Sequence, residues 1–459
     1  MLNKLLMRFV LYVSVFVLLV GGAGAIGLAR SKSDFYGAVR LEPIPALNSP
    51  IGKPIHDAEK PTAAVLIGNE RTEGLDFAIP YQMFSMTGAY NVYAVAADTQ
   101  LKSLTGGLDV IPHYSFLELE SLLGRSPDII VIPYMTTENE AAFKPVRDFL
   151  RKHADTTLLS ICGGSGNLAA AGLLDGITAA SHWQTIGQLS KAYPEVNWVR
   201  DQRYTAAGNR VTTAGVSSGI DGMLYVISQR QGEKVAQAVA KQLNYPSYHY
   251  VSNPNMEPFA MDIRFAVYLL NNAFQWNKQA AGVLLYNGVE EMALASVFDI
   301  YSDTGTTRVK SVAGTDQPVL TKYGLELLPR YTVANAPKLD KRIVPGAKAK
   351  ELAAPDIARW NERAEGGPLQ FVHSDSPDRF LFEVQLEDLA KQEDVLTAKH
   401  AVKRLEYRAN EVELKGKPFS METYGVMALA ALLAVLASSW IDRRYLLSKF
   451  NSRKDVRHT

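Results

Sequence analysis

Cysteine is almost missing from this sequence: the 459-residue chain has one, Cys162. A single thiol excludes an intramolecular disulfide and a cysteine-based zinc cage. Excess charge of either sign is missing too. Lys and Arg number 48 against 47 Asp and Glu, for a formal net charge of +1. No global basic field therefore points to nucleic acid, and no nucleic-acid partner is expected. There is no GxxxxGK loop, HExxH pair or EF-hand loop, so no metal, nucleotide or other cofactor is expected. What is present is an ordinary globular composition, 47% hydrophobic and 21% charged, in a chain long enough for about two or three domains.

Two apolar stretches stand near the ends. Residues 9–29, FVLYVSVFVLLVGGAGAIGLA, carry no charge. At about 1.5 Å per residue they are long enough for a bilayer core of roughly 30 Å. Lys4 and Arg8 precede them, as suits a cytoplasmic start. The alternative is a cleaved signal peptide with Phe9 to Val20 as its apolar core and Ala23 to Ala25 as its small-residue site. Residues 1–30 are thus an anchor or a signal. The second stretch, YGVMALAALLAVLASSW, lies in a candidate transmembrane helix over 421–441. Arg443, Arg444, Lys449, Arg453, Lys454 and Arg457 follow, so 442–459 reads as a basic cytoplasmic tail. A buried core helix is the alternative for this run. Two spans would put both termini in the cytoplasm and the body outside it, at a cell membrane whose lipid bilayer is a partner. A lone cysteine suits that oxidising side.

Between the spans, residues 31–61 are rich in proline and polar residues and read as an extended linker. From Thr62 the pattern changes. AAVLIG, YNVYAVAAD, PDIIVIPY and TTLLSIC read as buried strands. GLDFAIPYQMFSMTG and ENEAAFKPVRDFLRKHA have apolar residues at helical spacing. Alternating strands and helices imply an α/β class, with a mostly parallel sheet sandwiched by helices, over 62–245.

The order then restarts. AAGVLLYNGVEEMALASVFDIYSDTG echoes TAAVLIGNERTEGLDFAIPYQMFSMTG. Phe84 matches Tyr301, Gly107 matches Gly324 and Pro112 matches Pro329, at a constant offset of 217. A fixed offset argues for internal duplication, with a second, degenerate copy over 280–415. After RIVPG the copies diverge. No second SICGGSG appears, and LEDLAKQEDVLTAKHAVKRLEYRANEVEL reads as a helical run leading towards the membrane.

LLSICGGSGNLAAAGLLDG places Cys162 between an apolar strand and a small-residue helix. This pattern describes a nucleophile elbow, in which glycines permit a sharp turn. The helix start would bring backbone N–H groups and a positive dipole end to the sulfur, lowering the thiol pKa. The N–H groups of Gly163 and Gly164 would also be placed to hold an oxyanion. The alternative is a small buried residue at a tight turn.

PDIIVIP, LLSICGGSGNLAAAGLLDGITAASHW and RVTTAGVSSGIDGML together resemble the ThiJ/PfpI superfamily, which has a class I glutamine-amidotransferase-like fold. They most resemble the amidase-type domain at the front of AraC-type regulators. The likeness covers about residues 62–245 well and 280–346 more weakly. It implies a flavodoxin-like sandwich with the cysteine on the elbow after a central strand. It also implies an acid on the first helix facing that cysteine, four residues before a proline: Asp76, before Pro80. A histidine near the cysteine is implied as well, and His182 stands in that place. The alternatives are a dipole-favouring helix acid and a structural histidine packed beside Trp183.

Some hydratases of the family carry threonine directly after the cysteine, where this chain has Gly163. Glu70 and Glu73 read as solvated loop acids that could line the site, and Asp221 reads as capping or starting a helix. Ala293 takes the place of Asp76 in the second copy, which then has no chemistry and packs or dimerises. The regulators' helix-turn-helix region has no counterpart among these motifs, so direct DNA binding is not expected. Three functions follow as expectations. The first is a membrane-anchored cysteine-dependent hydrolase, hydratase or amidase acting on an unknown small molecule through Cys162, Asp76 and His182. The second is a small-molecule-binding sensor, and the third is redox protection through Cys162. A homodimer is possible in each case.

Overall fold

The computed structural model describes residues 2–41, 52–362, 366–408 and 412–447. The short apolar runs become strands because both faces of each are covered. Thr62–Leu66, Ile129–Ile132 and Thr157–Ser160 are buried at every position. They form the middle of a seven-stranded sheet. Its order is Tyr204–Ala207, Arg210–Thr213, Thr157–Ser160, Ile129–Ile132, Thr62–Leu66, Asn91–Ala96, Tyr114–Ser115. Every neighbour is parallel except the hairpin of the first two.

Helices cover both faces, as the α/β expectation requires. Glu140–Lys152 starts at the Asn139 cap and buries Phe143, Val146, Phe149 and Leu150, one apolar stripe at helical spacing. On the other face Gly74–Met86 packs against Val216–Gln231.

A second sheet has five strands, all parallel. Its order is Tyr331–Thr332, Thr307–Ala313, Gln279–Leu285, Lys341–Val344, Leu369–Phe371. The helix Glu291–Ser302 lies against Gly74–Met86. One buried apolar cluster runs unbroken from Ile79 and Phe84 to Val297 and Phe298. The two units thus share a core. A four-stranded sheet also bridges them, pairing Leu108–Ile111 antiparallel with Glu326–Leu328.

Leu2 to Ala38 is one helical run, with a π-helical segment over Val17–Gly21. This corrects the extended linker over its first part, since residues 31–38 are helical; residues 42–51 lie outside the described residues. The reason is packing. Gly24, Gly27 and Ser31 are buried against the helix Ile263–Phe274. A Cβ on Gly27 would stand 1.8 Å from the Ala273 carbonyl oxygen. Asp34 then pairs with Arg308 at 2.7 Å.

Two helical stretches, residues 4–38 and 421–445, are long and apolar enough to cross a membrane. They touch near their ends, where Arg8 Nε lies 3.1 Å from Asp442 Oδ1. Lys449, Arg453, Lys454 and Arg457 of the basic tail lie outside the described residues.

The helical run expected ahead of the second apolar stretch is broken into two helices, Leu381–Gln392 and Val395–Arg404. Asp394 breaks them apart by capping the second, accepting from the Thr397 amide. The chain that leaves it, residues 404–408, turns into the first unit.

Candidate functional site

Cys162 follows the strand Thr157–Ser160 and precedes the helix Gly164–Ala170. Its φ is 57°, a left-handed value that an L-residue adopts at a cost of about 1–2 kcal/mol. The surroundings hold it there. Its amide donates to Thr213 Oγ1 at 3.2 Å, and its carbonyl accepts from Ser165 and Ser181 hydroxyls at 3.1 and 3.3 Å.

The following glycines are steric necessities. A Cβ on Gly163 would meet the Tyr134 ring at 2.6 Å, and one on Gly164 would meet the Ile132 carbonyl oxygen at 2.1 Å. A threonine at 163 has no room here unless Tyr134 moves.

The sulfur faces a cavity of about 350 Å³, lined by Arg71, Glu73, Tyr134, His182, Phe265 and Arg404 among others. Asp76 lies fully buried in the first turn of its helix. Its Oδ2 accepts from the Tyr134 amide at 3.2 Å, while Oδ1 has no hydrogen-bond partner. Burial, reinforced by Glu73, holds the Asp76 carboxyl well above the usual carboxylate range, so it keeps its proton.

Burial also pushes the Cys162 thiol up, and Asp76, Glu73 and Glu406 add to the effect. The Gly163 N–H, hydrogen-bonded to the sulfur, works against them. This corrects the expected acidic thiol: the helix start is outweighed by loss of solvent and by a ring of acids.

Two further expectations are corrected. His182 was expected to move protons, but its Nε2 donates to the Arg404 carbonyl at 2.8 Å, and its Nδ1 accepts from the Gln184 amide at 3.4 Å. Burial lowers its pKa to about 4. It is a neutral ring fixed between backbone groups, with no nitrogen left for the thiol proton. Gly164 was expected to help hold an oxyanion, but its N–H already donates to the Ile161 carbonyl at 2.8 Å.

The residues that complete the site come from the second unit. Arg404 pairs with Glu73 and Asp303 and lies 3.4 Å from Asp299. Glu73 is not a solvated loop acid. Although burial alone would raise its pKa, Arg404, Asp299, Arg71 and Thr105 bring it down to about 2. Asp299 is held well up by burial and Glu73. Asp303 rises to about 6, mainly by burial.

Glu406, at φ 50°, accepts from the Trp183 and Gly215 amides at 3.1 and 2.9 Å. Trp183 Nε1 donates to the Lys403 carbonyl at 3.1 Å. The His182–Trp183 segment therefore docks the tail of the second unit. Asp221 does not cap its helix; it forms a buried ion pair with Arg203 and accepts from Tyr245 Oη at 2.6 Å.

Sequence reasoning missed Arg404, Glu406, Asp299 and Asp303. One signal was available. Asp299 lies in the helix Glu291–Ser302 and Asp303 caps its end, four residues on, a spacing that puts both on one face.

A model of the DJ-1/PfpI family matches residues 61–229. The isonitrile hydratase of Pseudomonas putida is 30% identical over 178 residues, covering 36% of this chain and 74% of that protein. The HTH-type transcriptional regulator CdhR of Pseudomonas aeruginosa is 38% identical over 111 residues, covering 22% of this chain. The chain spans 33% of the length of CdhR and 23% of that of a second regulator, GbdR. A solved ThiJ/PfpI family protein from Pseudomonas syringae aligns at 25% identity over 41% of this chain and 76% of its own, with a TM-score of 0.37.

Proposed function

The chain belongs to the DJ-1/PfpI family, and from that premise we propose that it is a membrane-anchored hydratase, adding water across a polarised multiple bond of a small molecule. The observation that carries the reading is Cys162, held at φ 57° against a cavity of about 350 Å³ beside the protonated Asp76. Backbone strain of this kind persists where the surroundings over-determine it, as at active sites.

Acyl transfer fits less well. It needs a thiolate and an oxyanion hole, and here the thiol is held protonated and the Gly164 N–H is occupied. Addition across a multiple bond needs neither. The Cys162 sulfur forms a bond to the electrophilic carbon, and the Asp76 carboxyl gives its proton to the substrate as it receives the thiol's. Water then adds to the same carbon and the S–C bond breaks. The sulfur regains a proton and leaves the hydrated product. No oxidant or reductant is involved. The isonitrile hydratase relative supports this reaction class, and the substrate of this chain is left as a small electrophile.

We read the second unit as a degenerate copy that takes the place of a partner subunit. Val110 pairs with Leu327, its own counterpart at an offset of 217, and the flanking pairs are 109 with 328 and 111 with 326. Contacts around this point are reciprocal. His113 Nε2 donates to the Gly324 carbonyl at 3.1 Å. Their counterparts, Arg330 and Gly107, also meet, a Cβ on Gly107 standing 2.9 Å from Arg330. Residue i touching j while j's counterpart touches i's is the mark of a two-fold, isologous interface.

Following the strand registers from Ala281, the position of Cys162 is filled by Val372. In this reading the copy has no nucleophile and supplies Asp299, Asp303, Arg404 and Glu406 across the dyad. A homodimer through this face is then unnecessary.

The test is turnover of a panel of isonitriles and nitriles by full-length protein, with Cys162→Ser and Asp76→Asn alongside. Product from wild type alone supports the reading; equal turnover by Cys162→Ser sinks it. The second reading, a ligand sensor, is favoured by the protonated thiol and the occupied Gly164 N–H. Ligand-induced stabilisation without turnover would select it.

A further inference from the structure

Beyond the cysteine cavity, a second cavity of about 580 Å³ lies between the anchor helix and the second sheet, with Arg71, Tyr268 and Asp303 common to the walls of both. Its charge is unbalanced. Lys32, Arg71, Lys278 and Lys310 all line it, and among the described residues none of the four is in an ion pair. The acids on its wall are already engaged: Asp34 pairs with Arg308 and Asp303 with Arg404.

Arg71 Nε is buried without a hydrogen-bond partner. Its guanidinium is stacked on the rings of Tyr134 and Phe35, 4.9 and 5.3 Å away. Lys278 is half-buried and donates to the Ser31 hydroxyl. Burial, opposed by Asp34, brings its amine down to about 8. Four cations converging on one concavity repel one another, and one holds an unsatisfied donor. An anion with several acceptor oxygens would relieve both.

The place of the cavity matters as well. Leu28, at the end of the apolar stretch, lines it. Trp276, two residues before Lys278, is 46% exposed, and Ile263 and Met421 are 81% and 69% exposed. Exposed apolar residues and a tryptophan beside cations are what a body resting on a bilayer presents at headgroup depth.

We infer that this cavity binds a phosphate ester, either the headgroup of an anionic lipid or a soluble phosphate ester, held by Lys32, Arg71, Lys278 and Lys310. The membrane-anchored reading enters only for the lipid as source, and the chemistry of Cys162 does not enter at all. Arg71 then stands between the two cavities, in contact with whatever occupies either.

The experiment is binding to the full-length resting protein in detergent micelles. The probes are glycerol 3-phosphate and the lipids dioleoylphosphatidylglycerol and dioleoylphosphatidylcholine. The readout is binding, so it stands whatever the turnover assay gives. The expected result is binding of phosphatidylglycerol in preference to phosphatidylcholine, weakened at least about tenfold in Lys278→Ala/Lys310→Ala. Binding of glycerol 3-phosphate as well assigns a soluble source; its absence assigns the lipid. Lys32→Glu, at an exposed position, gives a charge reversal that does not disturb the core, should the double variant fail to fold. The inference is overturned if neither anionic probe binds wild type, if phosphatidylcholine binds equally, or if Lys32→Glu and the double variant bind as wild type does.

Discussion

The two units share the order of five parallel strands, to which the first adds a hairpin, and they differ at the turn after the strand that carries the cysteine in the first. After Thr157–Ser160 the first continues Ile161-Cys162-Gly163-Gly164; after Leu369–Phe371 the second continues Val372-His373-Ser374. In the first, two side-chain-free positions let the backbone press against Tyr134 and Ile132 and lift the sulfur into a cavity. In the second, His373 Nδ1 accepts from the Gly346 amide at 3.0 Å, and the Ser374 hydroxyl donates to the Gly346 carbonyl at 2.9 Å. The same strand end is tied down by side chains. Ionisable groups divide in the same way. The helix Gly74–Met86 carries Asp76 towards its own cysteine, whereas Glu291–Ser302 has Ala293 there and turns Asp299 to Arg404 of its own unit and Glu73 of the first.

Four experiments would break or sharpen this contrast. The largest effect is expected at the turn itself. Cys162→Ser should lower turnover by about a thousandfold or more, while Val372→Ala, at the matching position of the second unit, should leave turnover within about twofold. Equal losses in the two variants would mean that the turns are not different.

Next is the cross-unit cation. Arg404→Ala leaves Glu73, Asp299 and Asp303 buried without their partner and should cost about 3–5 kcal/mol in urea denaturation. Arg379→Ala, removing partly exposed pairs to Glu383 and Glu387, should cost only about 0–1 kcal/mol.

Third is the pH effect of one buried acid in the second unit. Burial pushes the Glu291 carboxyl up to about 7 from its ordinary 4.5, so the folded chain keeps a proton that the unfolded chain has released. Stability contributed by this group is greatest at low pH, falls as pH rises from about 4.5 to 7, and stays reduced above that. Glu291→Gln retains the oxygen that accepts from Thr321 and Tyr323. It should flatten that fall and gain up to about 3 kcal/mol at pH 8. A variant with the wild-type pH profile would place the proton elsewhere.

The smallest effect compares two glycines 217 positions apart. Gly324 and Gly107 have φ 89° and 86°, but a Cβ on Gly324 meets nothing within 4 Å, whereas one on Gly107 meets Arg330 and the Ala38 carbonyl at 2.9 Å. Gly324→Ala should cost about 1 kcal/mol for its backbone alone, and Gly107→Ala more. Equal losses in thermal melts would remove the crowding argument.

Several features were set by the sequence alone. Continuous apolar runs such as AAVLI specify strands covered on both faces. The stripe Phe143, Val146, Phe149, Leu150 specifies a helix with one buried side. The strand-cysteine-glycine-glycine order specifies a sharp turn at Cys162. These follow from local periodicity and steric limits, which need no knowledge of distant residues. Tertiary structure decided the rest. It turned Glu73 from a loop acid into a buried partner of Arg404, 331 positions away, and it tied His182 to a backbone carbonyl of the same distant segment. It also replaced an expected acidic thiol with a protonated one. A charge state depends on how much water is lost and which charges lie within a few ångströms, and both are properties of the packed chain.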